Sequence, residues 1–517
     1  MRFLRVQNRE AEVHFRQTFP GEACLLVPEA LRDLPAHWRA ASHIVNDLMI
    51  VPARAPKDRA FQPEPALLAM TEGRKLLLDE VTSVHPLEIV DAHVKNGWLL
   101  YERATPDDSG GCPRCGSVMD GEIPHCARCG RRCRYCRDCI QMGRISMCSL
   151  FVVSAERQEP KKRDVTVTFH GTLTGPQERS SSYLVNEVTK GAPEVLCWAV
   201  CGAGKTEMLF PLIRKTLSNG EPVMIATPRA DVVKELVPRL QSAFPEVRTA
   251  GFYGDCPDRY AAYDLAVATT HQAMRFKDAF PLIIIDEVDA FPFTVDERLG
   301  FAVNGALRSG GSIVYLTATP SKVLRKRAEQ GELPFTRVPR RFHGHPLPEP
   351  KAAWVGDWKR RLKKGRLPQK VMVWLKARLQ EERPAFLFVP EIALLDQVVA
   401  AILKGYPVLD PISVTSVHAK DDKRGEKVQG FRSGAIRIIV TTTILERGVT
   451  VPGAQVAVLG AEDAIFDEAA LVQMAGRAGR SKDAPDGDVV FFHHGRTMAL
   501  NQAISHIRNM NMEGGEA

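Results

Sequence analysis

The sequence predicts an α/β protein of two parallel-sheet lobes, preceded by an N-terminal region and a cysteine-rich module. Three observations predict it. A strand, a glycine turn and a helix start run together at 195–206, V-L-C-W-A-V-C-G-A-G-K-T. From Val165 onward, apolar strand-like runs alternate with helical stretches, the pattern of a parallel sheet with crossover helices. Eight of the twelve cysteines fall between Cys112 and Cys148, ahead of that alternating region.

The 517 residues are enough for two to four domains, each with a sizeable core. A hydrophobic fraction of 44% with 25% charged residues is ordinary for a soluble globular protein. The opening residues lack the apolar core of a signal peptide, and no apolar run approaches the ~18 residues of a membrane span. A cytoplasmic protein is expected, with any membrane association made through partners. The net charge of +8 suits a nucleic-acid binder without requiring one. In such a compartment a cysteine cluster reads as metal ligation rather than as disulfides.

Residues 1–105 carry no motif. Short apolar runs such as Leu76-Leu77-Leu78 alternate with proline-containing breaks, which predicts a small α+β region of unknown role. The module at 106–160 opens on the linker-like P-D-D-S-G and continues with C-P-R-C-G at 112–116 and C-A-R-C-G at 126–130. C-R-Y-C-R-D-C at 133–139 and Cys148 complete it. The turn after each first cysteine points backbone N–H groups at sulfur, and four thiolates make a closed tetrahedral zinc site. Cys112, Cys115, Cys126 and Cys129 form one such set, and Cys133, Cys136, Cys139 and Cys148 suffice for a second. Cys126 and Cys129 with Cys136 and Cys139 are equally legal, so the pairing and the count, one zinc or two, stay open. Eleven Lys and Arg against five Asp and Glu between Gly110 and Arg163 make the module a candidate nucleic-acid surface.

The first lobe, 165–345, carries the phosphate loop. Gly202, Ala203 and Gly204 let the backbone approach an anion, Lys205 can reach the β- and γ-phosphates of ATP, and the Thr206 hydroxyl can ligate Mg²⁺. Ala199 stands where the full loop pattern has glycine. The buried strand Leu282–Ile285 ends in Asp286-Glu287-Val288-Asp289, at the strand end where open α/β sheets bind ligands. Asp286 is expected to hold Mg²⁺, and Glu287 to orient and deprotonate the attacking water. Thr317 and Thr319, after a further strand, can link this acid box to a second ligand's position. Gln177 can pair with the edges of adenine.

The second lobe, 346–500, has strands but no phosphate loop. It ends in Q-M-A-G-R-A-G-R, which places Gln473, Arg477 and Arg480 at i, i+4 and i+7 on one helical face. Two arginines aimed together suit a phosphate closed between two lobes. Between Trp354 and Arg378, basic residues interleave with Trp354, Trp358 and Trp374. That pattern fits phosphate contact with base stacking, and equally a helix with tryptophan in the core. Residues 501–517 read as a flexible tail.

Ala199–Thr206, Thr227–Arg229, Asp286–Asp289, Thr317–Thr319, Thr441–Thr450 and Gln473–Arg480 together resemble the ordered motifs of a superfamily 2 helicase core, whose lobes are RecA-like. With the cysteine module ahead of the core, and with D-E-V-D-A-F-P, T-T-T-I-L-E-R-G-V-T and L-V-Q-M-A-G-R-A-G-R, the chain resembles the ComFA family of late-competence DNA-uptake ATPases over about residues 110–495. The resemblance implies an ATP- and Mg²⁺-dependent motor acting on single-stranded DNA. It further implies a phosphoribosyltransferase-like competence partner and a membrane DNA channel, with the protein peripheral at the inner face. Oligomeric state is open, a homo-oligomer being one arrangement. The last cysteine block is richer than one four-cysteine site needs, and the acid box is not D-E-A-D, which disfavours the narrow RNA-helicase reading. Two alternatives stand beside this one. A primosome-like replication-restart or repair helicase would carry its zinc ligands inside the motor's second half. A zinc-dependent DNA-binding scaffold with weak ATPase would not need Lys205, Asp286, Glu287 and both arginines.

Overall fold

A computed structural model describes residues 55–104, 111–123, 126, 132–157, 159–169, 171–290, 293, 296–447 and 449–515, together with the strands β1 (Arg2–Val6), β2 (Leu25–Pro28) and β3 (Ser42–Ile44). By the density of its contacts the chain divides into two compact units: 1–168 with 214–284 and 291–313, and 169–213 with 285–290 and 314–517.

The short apolar runs of the N-terminal region become β4 (Leu76–Leu77) and β5 (Leu99–Arg103). The cysteine-rich stretch supplies β6 (Gly121–Ile123) and β7 (Cys133–Tyr135), an antiparallel pair. Directly after Cys148 comes β8 (Leu150–Ser154), which returns to lie between β4 and β5 and pairs antiparallel with both. The cysteine module is therefore inserted within the α+β domain, whereas the sequence suggested two consecutive regions meeting near residue 105. The linker at 106–110 lies outside the described residues. Leu67, Met70, Val81, Val90, Leu99 and Val152 form the core of this domain.

The first lobe holds α1 (Gly175–Thr189) and a seven-stranded sheet. Its strands are β9 (Glu194–Ala199), β10 (Val223–Thr227), β11 (Thr249–Phe252), β12 (Leu265–Thr269), β13 (Phe280–Asp286), β14 (Leu307–Thr317) and β15 (Phe335–Val338). Their order is β11-β12-β10-β13-β14-β9-β15, and β10–β12, β11–β12 and β9–β15 pair in parallel. Every residue of β10 and β12 is buried, as continuous apolar runs require when helices cover both faces. The phosphate loop follows β9, the acid box follows β13 and Thr317-Ala318-Thr319 follows β14, so all three collect at one edge. The helix α2 (Glu297–Ala306) precedes β14.

The second lobe is a fully parallel six-stranded sheet of β16 (Lys351–Trp354), β17 (Ala385–Phe388), β18 (Val414–Val417), β19 (Ile438–Thr441), β20 (Gln455–Leu459) and β21 (Val489–His493). The order is β16-β21-β20-β17-β19-β18. After β16 comes α3 (Trp358–Lys363), and α4 (Glu468–Ala475) bears the first part of the arginine motif. Trp358 and Trp374 join Leu362, Leu375, Leu387 and Val440 in the core, as one of the two expected uses of tryptophan has it, while Trp354 stays exposed.

The residues read as a flexible tail form α5 (Met498–Gly515). Leu500, Ala503, Ile507 and Met510 recur at helical spacing and are all buried. Asn511 fixes the helix by exchanging two hydrogen bonds of 2.8 Å with the backbone of Leu347. The Met- and Asn-rich composition hides a stripe that acquires meaning only against a surface to cover. Among the described residues, no helix is long and apolar enough to cross a membrane. Ile507→Ala is expected to lower unfolding free energy by about 2–4 kcal/mol in chemical denaturation, the usual cost of emptying a buried isoleucine site.

Candidate active site and metal centres

Strand β9 runs into the loop through Ala199 and Val200, and Gly202 and Gly204 then take φ values of +80° and +74°. A side chain at either position would be strained, and at Gly204 it would also strike the Gln177 amide. Gln177 sits in the first turn of α1, where its Oε1 accepts the Thr174 N–H at 2.7 Å. Its Nε2 donates to the Ala203 carbonyl at 2.8 Å. The amide oxygen thus closes the cap of α1 and the nitrogen braces the phosphate loop, so adenine contact would require exchanging those bonds.

The acid box forms the facing wall. Burial pushes the Asp286 carboxyl up to about 6, with the adjacent Glu287 charge adding to it and the Lys205 ammonium opposing. Glu287 occupies the left-handed region at φ +58°, a conformation that persists for a non-glycine residue only where its surroundings hold it there. Asp289 accepts hydrogen bonds from the Thr317 hydroxyl at 2.5 Å, the Thr319 hydroxyl at 2.7 Å and Arg447 Nη2 at 2.6 Å. Burial alone would raise its pKa, but the Arg447 charge and the two hydroxyls prevail and hold it at about 2. The threonines meet the acid box as the sequence suggested. Arg447, from the T-T-T-I-L-E-R-G-V-T segment, is a partner that sequence reasoning missed. Its Nη1 also stands 3.3 Å from Glu287 Oε2, yet neither atom has an aligned hydrogen bond. The Arg447 charge faces a buried Glu287 oxygen that has no hydrogen-bond partner among the described residues.

The arginine motif departs from the expected single helical face. The helix α4 ends at Ala475, and Gly479 is left-handed at φ +64°, so Arg477 and Arg480 lie on a turn beyond it. Gln473 accepts the Cys201 thiol hydrogen at 3.0 Å, and a side chain at Gly476 would stand 2.5 Å from Cys201 Cβ. The phosphate loop and the end of α4 are therefore in direct contact. Arg477 is buried and donates to the carbonyls of Glu446, at 2.9 Å, and Val449. Burial brings its pKa down to about 9. Arg480 is half-buried, donates to the Gly476 carbonyl at 3.0 Å and the Thr450 hydroxyl at 3.1 Å, and has no carboxylate partner among the described residues.

Arg341 was also unforeseen, because in sequence it is one charge in R-R-F-H-G. Only 2% exposed, it donates to the carbonyls of Gly476 at 3.3 Å, Ala478 at 2.7 Å and Gly479. Burial lowers its pKa to about 10. The next residue, Phe342, donates its backbone N–H to the Gly202 carbonyl at 3.0 Å. Two consecutive residues thus tie the arginine turn to the phosphate loop.

The cysteines group in neither of the sets drawn from sequence. Cys112, Cys115, Cys136 and Cys139 form one cluster and Cys126, Cys133 and Cys148 another, with the sulfurs of each within 4.8 Å of one another. Cys129 lies outside the described residues. The physical reason is the β6–β7 hairpin, which folds the third block back so that Cys133 and Cys136 serve different clusters. Four buried thiols at this separation fit a closed tetrahedral zinc site with no open position for a substrate. Arg114, between Cys112 and Cys115, donates to Glu80 at 2.9 Å, and Glu80 accepts Arg275 Nε at 2.9 Å. Burial opposes ionisation of Glu80, but the two arginines outweigh it and keep its pKa low. Arg298 of α2 pairs with Asp138 at 2.5 Å, and the Phe301 ring packs on Gly116. The four-cysteine cluster is thereby fastened to the segment after β12 and to α2.

Two parallel-sheet lobes, one with a phosphate loop and acid box and the other with an arginine turn, define a nucleic-acid-dependent ATPase of helicase superfamily 2. The family description "Type III restriction enzyme, res subunit" matches residues 170–322, and "Helicase conserved C-terminal domain" matches 368–482. The solved structure of an S. cerevisiae Dbp5 variant bound to RNA and ADP BeF3 superposes with a TM-score of 0.50 at 14% identity, covering 66% of this chain and 88% of that one, which shows the shared fold. "Competence protein ComFA N-terminal domain" matches residues 59–153. Competence protein ComFA of Bacillus subtilis is 44% identical over 457 residues, 88% of this chain and 96% of that protein. The Streptococcus pneumoniae protein of the same name is 39% identical over 406 residues, 78% of this chain and 91% of its own. The chain belongs to the ComFA family and is a competence-associated helicase-type ATPase.

Arg341→Met leaves three carbonyls without their donor, so thermal stability should fall by about 1–3 kcal/mol, with kcat falling more than KM for ATP changes. Metal analysis should find two zinc ions per chain, with Cys139→Ser and Cys148→Ser each releasing one.

Proposed function

We propose that the protein is an ATP-driven single-stranded DNA translocase that takes up transforming DNA in natural competence. The observation that carries this reading is the Asp289 node, where the acid box accepts hydrogen bonds from Thr317 and Thr319 of one sheet and from Arg447 beside the other. A nucleotide-dependent change at the acid box is felt at once by the loop after β19, and that linkage is what a motor needs. Lys205 and the backbone of Gly202–Gly204 cradle the β- and γ-phosphates, with Thr206 and Asp286 holding Mg²⁺, which neutralises the developing phosphoryl charge. Glu287 orients the attacking water and accepts its proton. Arg480 reaches the transferred phosphoryl as an arginine finger, and Arg477 and Gln473 fix the turn that aims it.

Both cysteine clusters hold structural zinc, with Cys129 completing the second. Arg144, exposed on the module without a carboxylate partner among the described residues, and Arg134, exposed across the β6–β7 pair from Glu122, contact DNA phosphates. A phosphoribosyltransferase-like competence protein and a membrane DNA channel are the partners, with the protein cytoplasmic, peripheral at the inner membrane face and able to self-associate. The working division is the α+β domain with its zinc insert to residue 160, then lobes at 165–345 and 346–500.

Single-stranded DNA should stimulate ATP hydrolysis at low and moderate salt. Lys205→Ala and Glu287→Gln should each reduce kcat by orders of magnitude, the second with ATP binding retained. Arg480→Lys should lose about 10³-fold, since a point charge does not replace the planar fork. Steady-state rates with and without oligonucleotide check all three, and rates indifferent to DNA would remove the motor reading.

A further inference from the structure

The basic stretch after β16 leaves one large aromatic side chain in solvent. Trp358 and Trp374 are core residues whose indole N–H groups donate to Glu462 at 2.9 Å and Asp488 at 2.7 Å. Trp354 is 61% exposed. It ends β16, the edge strand of its sheet among the described residues. Its indole N–H donates to the His494 carbonyl at 3.1 Å, which satisfies the ring's polar atom and tethers it. Against the outer rim of the six-membered ring lies Gly356 at φ +66°, where a side chain would stand 3.4 Å from the nearest ring carbon. The glycine leaves that rim room, and most of the indole stays open to solvent.

The surroundings are cationic. Lys370 donates to the Trp354 carbonyl at 3.2 Å, and both Lys370 and Arg496 act on the neighbouring His493 to disfavour its charged form, after burial. Lys370 and Arg496 are exposed, and neither has a carboxylate partner among the described residues. Arg360, Arg361 and Lys363 on α3 are likewise exposed without one. Trp354 stands at the C-terminal ends of β16 and β21, the edge from which open α/β sheets bind ligands and from which the 442–450 loop also emerges.

We propose that Trp354, Lys370 and Arg496 form a stacking platform for single-stranded DNA, one base lying on the open indole face and the cations taking the flanking phosphates. The proposal deepens the single-strand translocase reading above and rests on it. A duplex keeps its bases stacked on each other and has none to offer. An anionic membrane would also suit the charge, but it favours an apolar wedge pointing outward. Here the ring is tethered through its N–H to the His494 carbonyl, and the stretch exposes one other large apolar residue, Val373.

The test compares the full-length chain with Trp354→Ala and Trp354→Phe on two oligonucleotides of equal length, an oligo-dT and an abasic strand. Trp354→Ala should weaken oligo-dT roughly 5- to 100-fold, while the abasic strand changes less than about 2-fold and Trp354→Phe stays near wild type. Ultraviolet crosslinking to a 5-bromouracil oligonucleotide should label the peptide containing Trp354. Lys370→Ala and Arg496→Ala should weaken both strands and reduce the salt slope. Equal losses on both strands, or none on oligo-dT, would overturn the platform while the motor reading stands. Loss of binding to phosphatidylglycerol vesicles with unchanged oligo-dT affinity would reassign the surface to lipid. A wild-type chain that binds no oligo-dT would remove the single-strand reading itself, and the platform with it.

Discussion

The buried carboxylate of Asp289 is the constraint on which the rest of the site depends. Removing it from water is costly, and the cost is offset only while Thr317, Thr319 and Arg447 all face it. Arg447 is equally committed, since its guanidinium is buried between Asp289 and Glu287. Separating the loop after β19 from the acid box would strand two acids and a guanidinium together. The arrangement favours discrete states over gradual loosening, as a nucleotide-driven device requires.

Close approach of backbone, rather than side-chain bulk, brings the arginine turn to the phosphate loop. Gly476 leaves room for Cys201, and left-handed Gly479 turns the chain so that Arg341 can reach the carbonyls of Gly476, Ala478 and Gly479. A buried arginine facing carbonyls instead of acids leaves the pocket's negative charge in the acid box, opposite Lys205. The position of Arg480 is then an outcome of packing around Arg341 and Arg477, both of which are spent on backbone.

The cysteine-rich insert is joined to the first lobe by charge as well as by shape. Glu80 stands between Arg114 of the first knuckle and Arg275 of the segment after β12, and Phe301 of α2 closes over Gly116. The four-cysteine cluster and the 270–275 segment are therefore joined through one carboxylate. The second cluster has a small core of its own, with Ile123 and Met147.

Much of this protein was determined locally and was legible in the sequence. The continuous apolar strands, the glycines that turn into Lys205, the acids closing β13 and the threonines closing β14 all follow from short-range rules, and the structure assembles them at one sheet edge. Tertiary structure alone decided the features that depend on distant partners. The thiols of 133–139 divide between two clusters because a hairpin returns, and Arg477 turns to the 446–449 backbone because α4 stops at a glycine. Residues 498–515 become helix because a surface waits for their stripe, and of three similar tryptophans two find a core to pack into while Trp354, closing β16, stays in solvent. In each case the residue type limits what bonds can form, but which bonds do form depends on what the rest of the chain brings within a few ångströms.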